Sequence, residues 1–411
     1  TSGLGDWTVN RKKIPSGIDG LARKINRIGL DFGIWVEPEM VNPESELFKA
    51  HPDWAIKHPK ITPSLGRHQL ILDLSKKEVR DYLAEAMETL IEHANIKYVK
   101  WDMNRNFTDL YSSELESSNQ GALLHLYQLG LYEILNRLTN RFPEVLFESC
   151  ASGGNRFDMG MLQYMPQIWT SDNTDGYHRQ LIQYGTSFLY PQSVMGAHVS
   201  DSPSAQAVRK TPLETRFNIS AFGILGYEFD LTHLTPFETK VIQKQIVFYK
   251  EHRKLMQFGD YYRLRNPFES NGTCLAVVSK DRKEAILGLF NTLQGANGSL
   301  ETIDMHMLDP NMTYDITNRK QYMNLSDFGY LVKHALPVRL NPNGVLFHIL
   351  KNRYLFETET EQQTIAGDIL VNKGFTPKQN FIGSGINQNV RLMGDFGSRM
   401  YYFKTTEGKH A

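Results

Sequence analysis

Short apolar runs alternate with longer amphipathic stretches along the first 255 residues. The runs at 31–36 (DFGIWV), 97–102 (KYVKWD, led in by Ile96), 145–150 (VLFESC), 167–172 (QIWTSD), 193–198 (SVMGAH) and 226–230 (GYEFD) have the length and composition of strands. Between them apolar positions recur at helical spacing over 17–29, 75–94, 121–141, 177–190, 213–223 and 235–255. Ser75 and Glu78 stand at the offset of a capping box and predict the start of the second helix. Regular strand–helix alternation of this kind predicts parallel βα units.

Six strands are two short of a closed (β/α)₈ barrel. No GxGxxG or Walker-type loop follows any of the runs, which weakens the open, nucleotide-binding sheet as the alternative. The expected fold is therefore α/β: a TIM-type (β/α)₈ barrel whose first two strands are missing from this chain. Beyond residue 256 the pattern changes. The segments TCLAVVS and EAILGLF, joined by KDRK, predict a hairpin, and Asn343-Gly344 predicts a further tight turn. Short strands continue to GDFGSRMYYFK, so residues 1–255 are expected to form an N-terminally incomplete catalytic barrel. Residues 256–411 are expected to form a C-terminal antiparallel, sandwich-like β domain.

A hydrophobic content of 41% with 11% aromatic residues excludes wholesale disorder. Lys+Arg and Asp+Glu balance at 45 each, so nothing draws the chain to nucleic acid or to an anionic membrane. No apolar run approaches the length of a membrane span. The two cysteines, Cys150 and Cys274, form neither a disulfide framework nor a CxxC pair. That pattern predicts a reducing, cytoplasmic compartment; the chain starts at Thr1 without a targeting segment. His198 is the sole histidine that clearly ends a strand, so neither a metal nor another cofactor is expected.

In βα barrels the reacting groups come from the C-terminal ends of strands. Alternation along Tyr98–Asn104 puts Lys100, Asp102 and Asn104 on one face, where the lysine favours an ionised aspartate. The other reading of that pair is a buried ion pair that only holds the barrel. Asp172 ends the next strand but one, sharing a face with Thr170 and Ile168, although SDNTD alone reads more readily as a turn. Asp175, further out, reads as a cap. Glu148 and Cys150 share a face before Ser152-Gly153-Gly154. Cys150 reads as a pocket-lining thiol rather than a nucleophile. Trp35 is core or a platform for a sugar face, and Glu37 and Glu39 remain rival acids.

WVEPEMVNPESELF at 35–48, HPDW at 51–54, YVKWDMNR at 98–105, ESCASGGNRFD at 148–158 and WTSDNTD at 169–175 resemble glycoside hydrolase family 36 in sequence, order and spacing. The resemblance implies retaining hydrolysis of terminal α-linked galactose, as in melibiose, raffinose and stachyose. By motif position it implies Asp102 as nucleophile and Asp172 as acid/base. It implies Trp35, Arg67, Lys100, Asn104, Cys150 and Gly153 as lining of the galactose pocket. A small oligosaccharide is the implied partner, and a homo-oligomer, tetrameric in the family, the implied assembly. The family's earlier strand with its aspartate pair and its N-terminal β-sandwich lie before the start of this sequence. The same resemblance leaves an α-N-acetylgalactosaminidase or a raffinose-synthase-like galactosyl transferase open. A metal-dependent barrel hydrolase and a non-catalytic sugar-binding protein are more distant readings.

Overall fold

A computed structural model describes residues 3–295, 301–332, 340–358, 360–378, 381–382 and 387–406. Thr1 and residues 407–411, the outer ends of the two expected domains, lie outside the described residues. The chain forms two compact units, Thr1–Asp172 and Asn173–Ala411.

The first unit holds four parallel strands that neighbour one another in chain order: β1 (Phe32–Val36), β2 (Ile96–Trp101), β3 (Leu146–Ser149) and β4 (Gln167–Trp169). Three long helices accompany them: α1 (Gly17–Arg27), α2 (Lys77–Ala94) and α3 (Leu123–Arg141). Val99 and Trp101 of β2, Phe147 of β3 and Ile168 of β4 share one core with Leu83 and Met87 of α2 and with Leu131 and Leu135 of α3. Side chains alternate along a strand, so Tyr98, Lys100 and Glu148 point to the opposite, polar face. In register, Lys100 stands opposite Glu148 and Glu148 opposite Gln167. Helices α2 and α3 are tied at Glu88, whose carboxylate accepts Arg137 at 2.7 and 2.8 Å and Arg141 at 2.6 Å.

The capping box expected at Ser75 does not form. The Ser75 hydroxyl donates to buried Asp73 at 2.6 Å, and α2 begins behind Lys76 without a side-chain cap. A nearby buried carboxylate outcompetes the helix amide for that hydroxyl.

The second unit opens with two more parallel strands, β5 (Met195–Ser200) and β6 (Ile224–Glu228). With them come α4 (His178–Thr186), α5 (Leu213–Ser220) and α6 (Pro236–Phe258). Here a reciprocal capping box is present: Thr235 and Glu238 satisfy each other's backbone N–H groups at the start of α6. From Asp260 onward the strands become antiparallel. Six of them form one sheet: β7 (Asp260–Arg265), β8 (Gly272–Val278), β9 (Glu284–Asn291), β10 (Thr313–Asn318), β11 (Gln362–Ala366) and β12 (Ser398–Thr405). Their order across the sheet is β11-β10-β12-β9-β8-β7.

The expected hairpin is the β8–β9 pair. Its strands are apolar at nearly every position because both faces of the sheet are covered. Cys274, Ala276, Leu287, Tyr401 and Phe403 join one core with Met305, Leu308 and Leu370. The alternate residues Leu275, Val277, Ile286 and Met400 join a second core with Phe217 of α5 and Tyr249 of α6. The Asn343-Gly344 turn forms, with the Gly344 N–H on the Asn341 carbonyl at 2.9 Å. It leads into α7 (Val345–Lys351) rather than a hairpin, because the residues after it carry helical spacing that buries Phe347. Among the described residues no helix is long and apolar enough to cross a membrane.

Candidate active site

Strand ends of the first unit converge on the segment 150–154. Asp102 directly follows β2 and is 6% exposed. Its Oδ2 accepts the indole N–H of Trp35 at 2.9 Å, and its Oδ1 accepts the Met103 backbone N–H at 2.9 Å. Trp35 is itself 44% exposed, so its N–H is committed while part of the residue stays accessible.

Cys150 directly follows β3, and its thiol lies close enough to the Asp102 carboxylate to be raised by it. Burial, reinforced by the Asp102 charge, pushes that thiol up to about 12. It stays protonated at neutral pH and orients Asp102; it is not an activated nucleophile.

Asp172 lies beyond the end of β4, and its Oδ1 accepts the indole N–H of Trp169 at 2.9 Å. Each of the two aspartates is thus aimed by a tryptophan. Alternation had placed Asp172 on the side of Ile168, but Ile168 belongs to the helix-facing core and Asp172 bonds Trp169. The strand ends at Trp169, and period-two alternation ends with it.

Gly153 couples Asp172 to the central segment. Its φ is +84°, and a Cβ added there would stand 3.0 Å from Ser171 Cα and 3.1 Å from the Asp172 backbone N. Glycine alone lets this backbone lie against the Ser171–Asp172 peptide. Asn104 adds a second tie, its Oδ1 accepting the Ser152 N–H at 3.1 Å and the Ser152 hydroxyl at 3.2 Å. Asp102 reaches the segment through Cys150, and Asp172 reaches it through Gly153.

Lys100 differs from expectation. Its ion-pair partner among the described residues is Glu148, at 3.2 Å, rather than Asp102. The reason is register: Glu148 lies directly opposite Lys100, whereas Asp102 is two residues along the same chain, about 6–7 Å away. The Lys100 ammonium also sits 4.4 Å from the centroid of the Trp169 ring, which it polarises.

The rival glutamates are anchors. Glu39 is fully buried and accepts Trp101 at 2.8 Å, Tyr127 at 2.5 Å and Arg156 at 2.9 and 3.1 Å. Glu37 accepts the Asn104 N–H at 2.9 Å and the Gln69 amide at 3.1 Å. Burial pushes the Glu37 carboxyl up; the Asn104 bond opposes the rise, Asp102's charge adds to it and Arg67's charge counters it. Arg67 occupies an exposed turn with His68, both at positive φ, and its link to the centre is that charge interaction with Glu37.

Asp175 and His198 belong to the second unit. Asp175 accepts the His178 N–H at the start of α4 at 3.0 Å and pairs with Arg209, the capping role expected of it. His198 pairs with Glu228 at 3.0 Å. Among the described residues no group of three or more His, Cys, Asp or Glu side chains could hold a metal ion.

The family model described as Melibiase matches residues 1–259, and that described as Glycosyl hydrolase family 36 C-terminal domain matches residues 272–403. The chain belongs to the melibiase family, within glycosyl hydrolase family 36. It is 51% identical over 313 residues to alpha-galactosidase AgaA of Geobacillus stearothermophilus, covering 76% of this chain and 43% of that protein. Alpha-galactosidase 1 of Pediococcus pentosaceus is 46% identical over the same shares. The crystal structure of the alpha-galactosidase from Lactobacillus brevis superposes with a TM-score of 0.84 at 40% identity, over 100% of this chain and 49% of that one. This chain thus spans less than half the length of these relatives.

Proposed function

We propose that this chain carries the bond-cleaving part of a retaining α-galactosidase acting on raffinose-type oligosaccharides. The observation that carries the reading is the pair of indole-held aspartates tied to one segment through Cys150 and Gly153. The named relatives support the reaction class. Variants of AgaA that each have one aspartate replaced hold raffinose in one structure and stachyose in another. The two replaced aspartates lie as far apart along that chain as Asp102 and Asp172 do along this one.

In this reading Asp102 attacks the anomeric carbon and forms a covalent β-galactosyl ester while the glycosidic bond breaks. Asp172 gives its proton to the departing oxygen, then takes one from the water that cleaves the ester. Retaining pairs of carboxyl groups stand about 5–5.5 Å apart, against about 6.5–9.5 Å in inverting ones. Trp35, Arg67, Lys100, Asn104, Cys150 and Gly153 form the galactose pocket, with the Trp35 ring as its platform. The catalytic part spans 1–255 and the β domain 256–411. A cytoplasmic homo-oligomer completes the proposal; two buried, unpaired cysteines support the reducing compartment.

The decisive experiment uses the intact protein with 4-nitrophenyl α-galactoside. Proton NMR should detect α-galactose as the first product. Asp102→Gly should lose at least about 10⁴-fold in kcat and make β-galactosyl azide when azide is added. Wild-type turnover in that variant, or β-galactose as first product, would remove the assignment.

A further inference from the structure

We propose that Glu148 is a positioning residue that holds the Lys100 ammonium in place for one hydroxyl of the bound sugar. The inference rests on the galactoside reading above and adds a residue to it.

Glu148 sits on β3 with no exposed surface. A carboxylate so placed is tolerated only if its charge is matched. Its two oxygens are used differently. Oε2 accepts the Tyr98 hydroxyl at 2.6 Å and the Gln167 amide. Among the described residues Oε1 has no hydrogen-bond donor, and the cation that faces it is the Lys100 ammonium at 3.2 Å. The buried charge and the lysine are therefore bound to each other more strictly than a surface pair would be.

The carboxylate is itself rigid. Tyr98 lies against Gly33, where a Cβ would stand only 2.9 Å from its ring, so the phenol is aimed by the neighbouring strand. Burial, followed by the Glu148 charge, pushes that phenol well up and keeps it a donor.

Lys100, by contrast, is not sealed. Its side chain is 22% exposed, and its ammonium is bracketed by Glu148 on one side and the Trp169 face on another. An ammonium has three donors, and this bracket leaves a direction open to a ligand acceptor. A purely structural pair has no need of that open end. The bracket also keeps the cation from collapsing onto Asp102, the next carboxylate along the chain, just beyond the end of β2.

The test compares the intact wild type with Glu148→Gln, Tyr98→Phe and Lys100→Met on 4-nitrophenyl α-galactoside and its four monodeoxy analogues. Lys100→Met should lose activity on every substrate except the one that lacks the hydroxyl it grips. Glu148→Gln should lower kcat/KM by about 10- to 100-fold, mainly through KM, and this loss should shrink to within about 3-fold on that same analogue. Tyr98→Phe should show the same selective pattern at smaller size, and it decides the matter if Glu148→Gln does not fold.

A Glu148→Gln loss spread evenly over all analogues, or no loss at all, overturns the positioning role and leaves the functional reading standing. Absence of wild-type turnover on every α-galactoside sinks that reading and this inference together.

Discussion

At Gly153 the backbone holds φ at +84°, and the nearest neighbours of an added Cβ are backbone atoms of Ser171 and Asp172. Backbone yields less readily than a flexible side chain, so Gly153→Ala must move the Asp172 peptide or strain its own. The expected stability loss is about 1–2 kcal/mol, since alanine tolerates positive φ poorly. With Asp172 in its proposed acid/base role, the expected activity loss is larger, about 100-fold in kcat, because a shift of about 1 Å in a reacting group costs on that order. Thermal melts and kcat measured on the same preparation separate the two effects. A variant with wild-type kcat would show that Asp172 does not depend on this contact. Such contacts bear on which candidate residues are legible in the sequence. Asp102 and Cys150 directly follow strands and Trp35 is the penultimate residue of one, and strand ends are readable from periodicity. Glu148 and Trp169 acquire meaning only from register across β2, β3 and β4, which no single strand's pattern encodes.

Element by element, the six parallel strands and six long helices fall where apolar periodicity places them, within a few residues. One local motif is not used as its spacing suggests: Ser75 had the spacing of a cap, but its hydroxyl donates to Asp73 two residues away. The turn expected at Asn343-Gly344 forms and leads into α7. The α2–α3 pair depends on a tertiary contact. Arg137, bonded directly to Glu88, holds that carboxyl below its ordinary 4.5 against the opposing effect of burial; Arg141 adds to it. A depressed carboxyl contributes stability at pH values above its unfolded pKa and loses it as pH falls through the folded value. Glu88→Gln should therefore destabilise by about 1 kcal/mol at pH 7, after allowance for the partly exposed arginines. The difference from wild type should shrink as pH falls from 4.5 through the lowered folded value of this carboxyl. Urea melts at pH 7 and pH 3.5 check it. An equal gap at both values would mean that the glutamate acts through packing, not charge.

Across the whole chain, each compact unit encloses apolar cores drawn entirely from its own residues. Each unit also contains one free cysteine, Cys150 in the first and Cys274 in the second. Burial is the first cause that pushes each thiol up to about 12, so the reactive thiolate is scarce at pH 7.5 as well as inaccessible. Labelling should then require opening of the unit that holds the thiol, which makes each cysteine a reporter on its own surroundings. With iodoacetamide at pH 7.5, neither residue should be modified within minutes in the native protein, and both should be modified in concentrated urea. Peptide mass spectrometry across a urea series gives one midpoint per cysteine. Because Cys150 lies close to Asp102, galactose bound at that carboxylate should raise the Cys150 midpoint, in line with about 2.7 kcal/mol of added stability at a hundredfold excess over its Kd. Rapid labelling of native Cys150 would mean that Asp102 lacks the enclosed thiol neighbour described above. A Cys150 midpoint indifferent to galactose would place the sugar elsewhere.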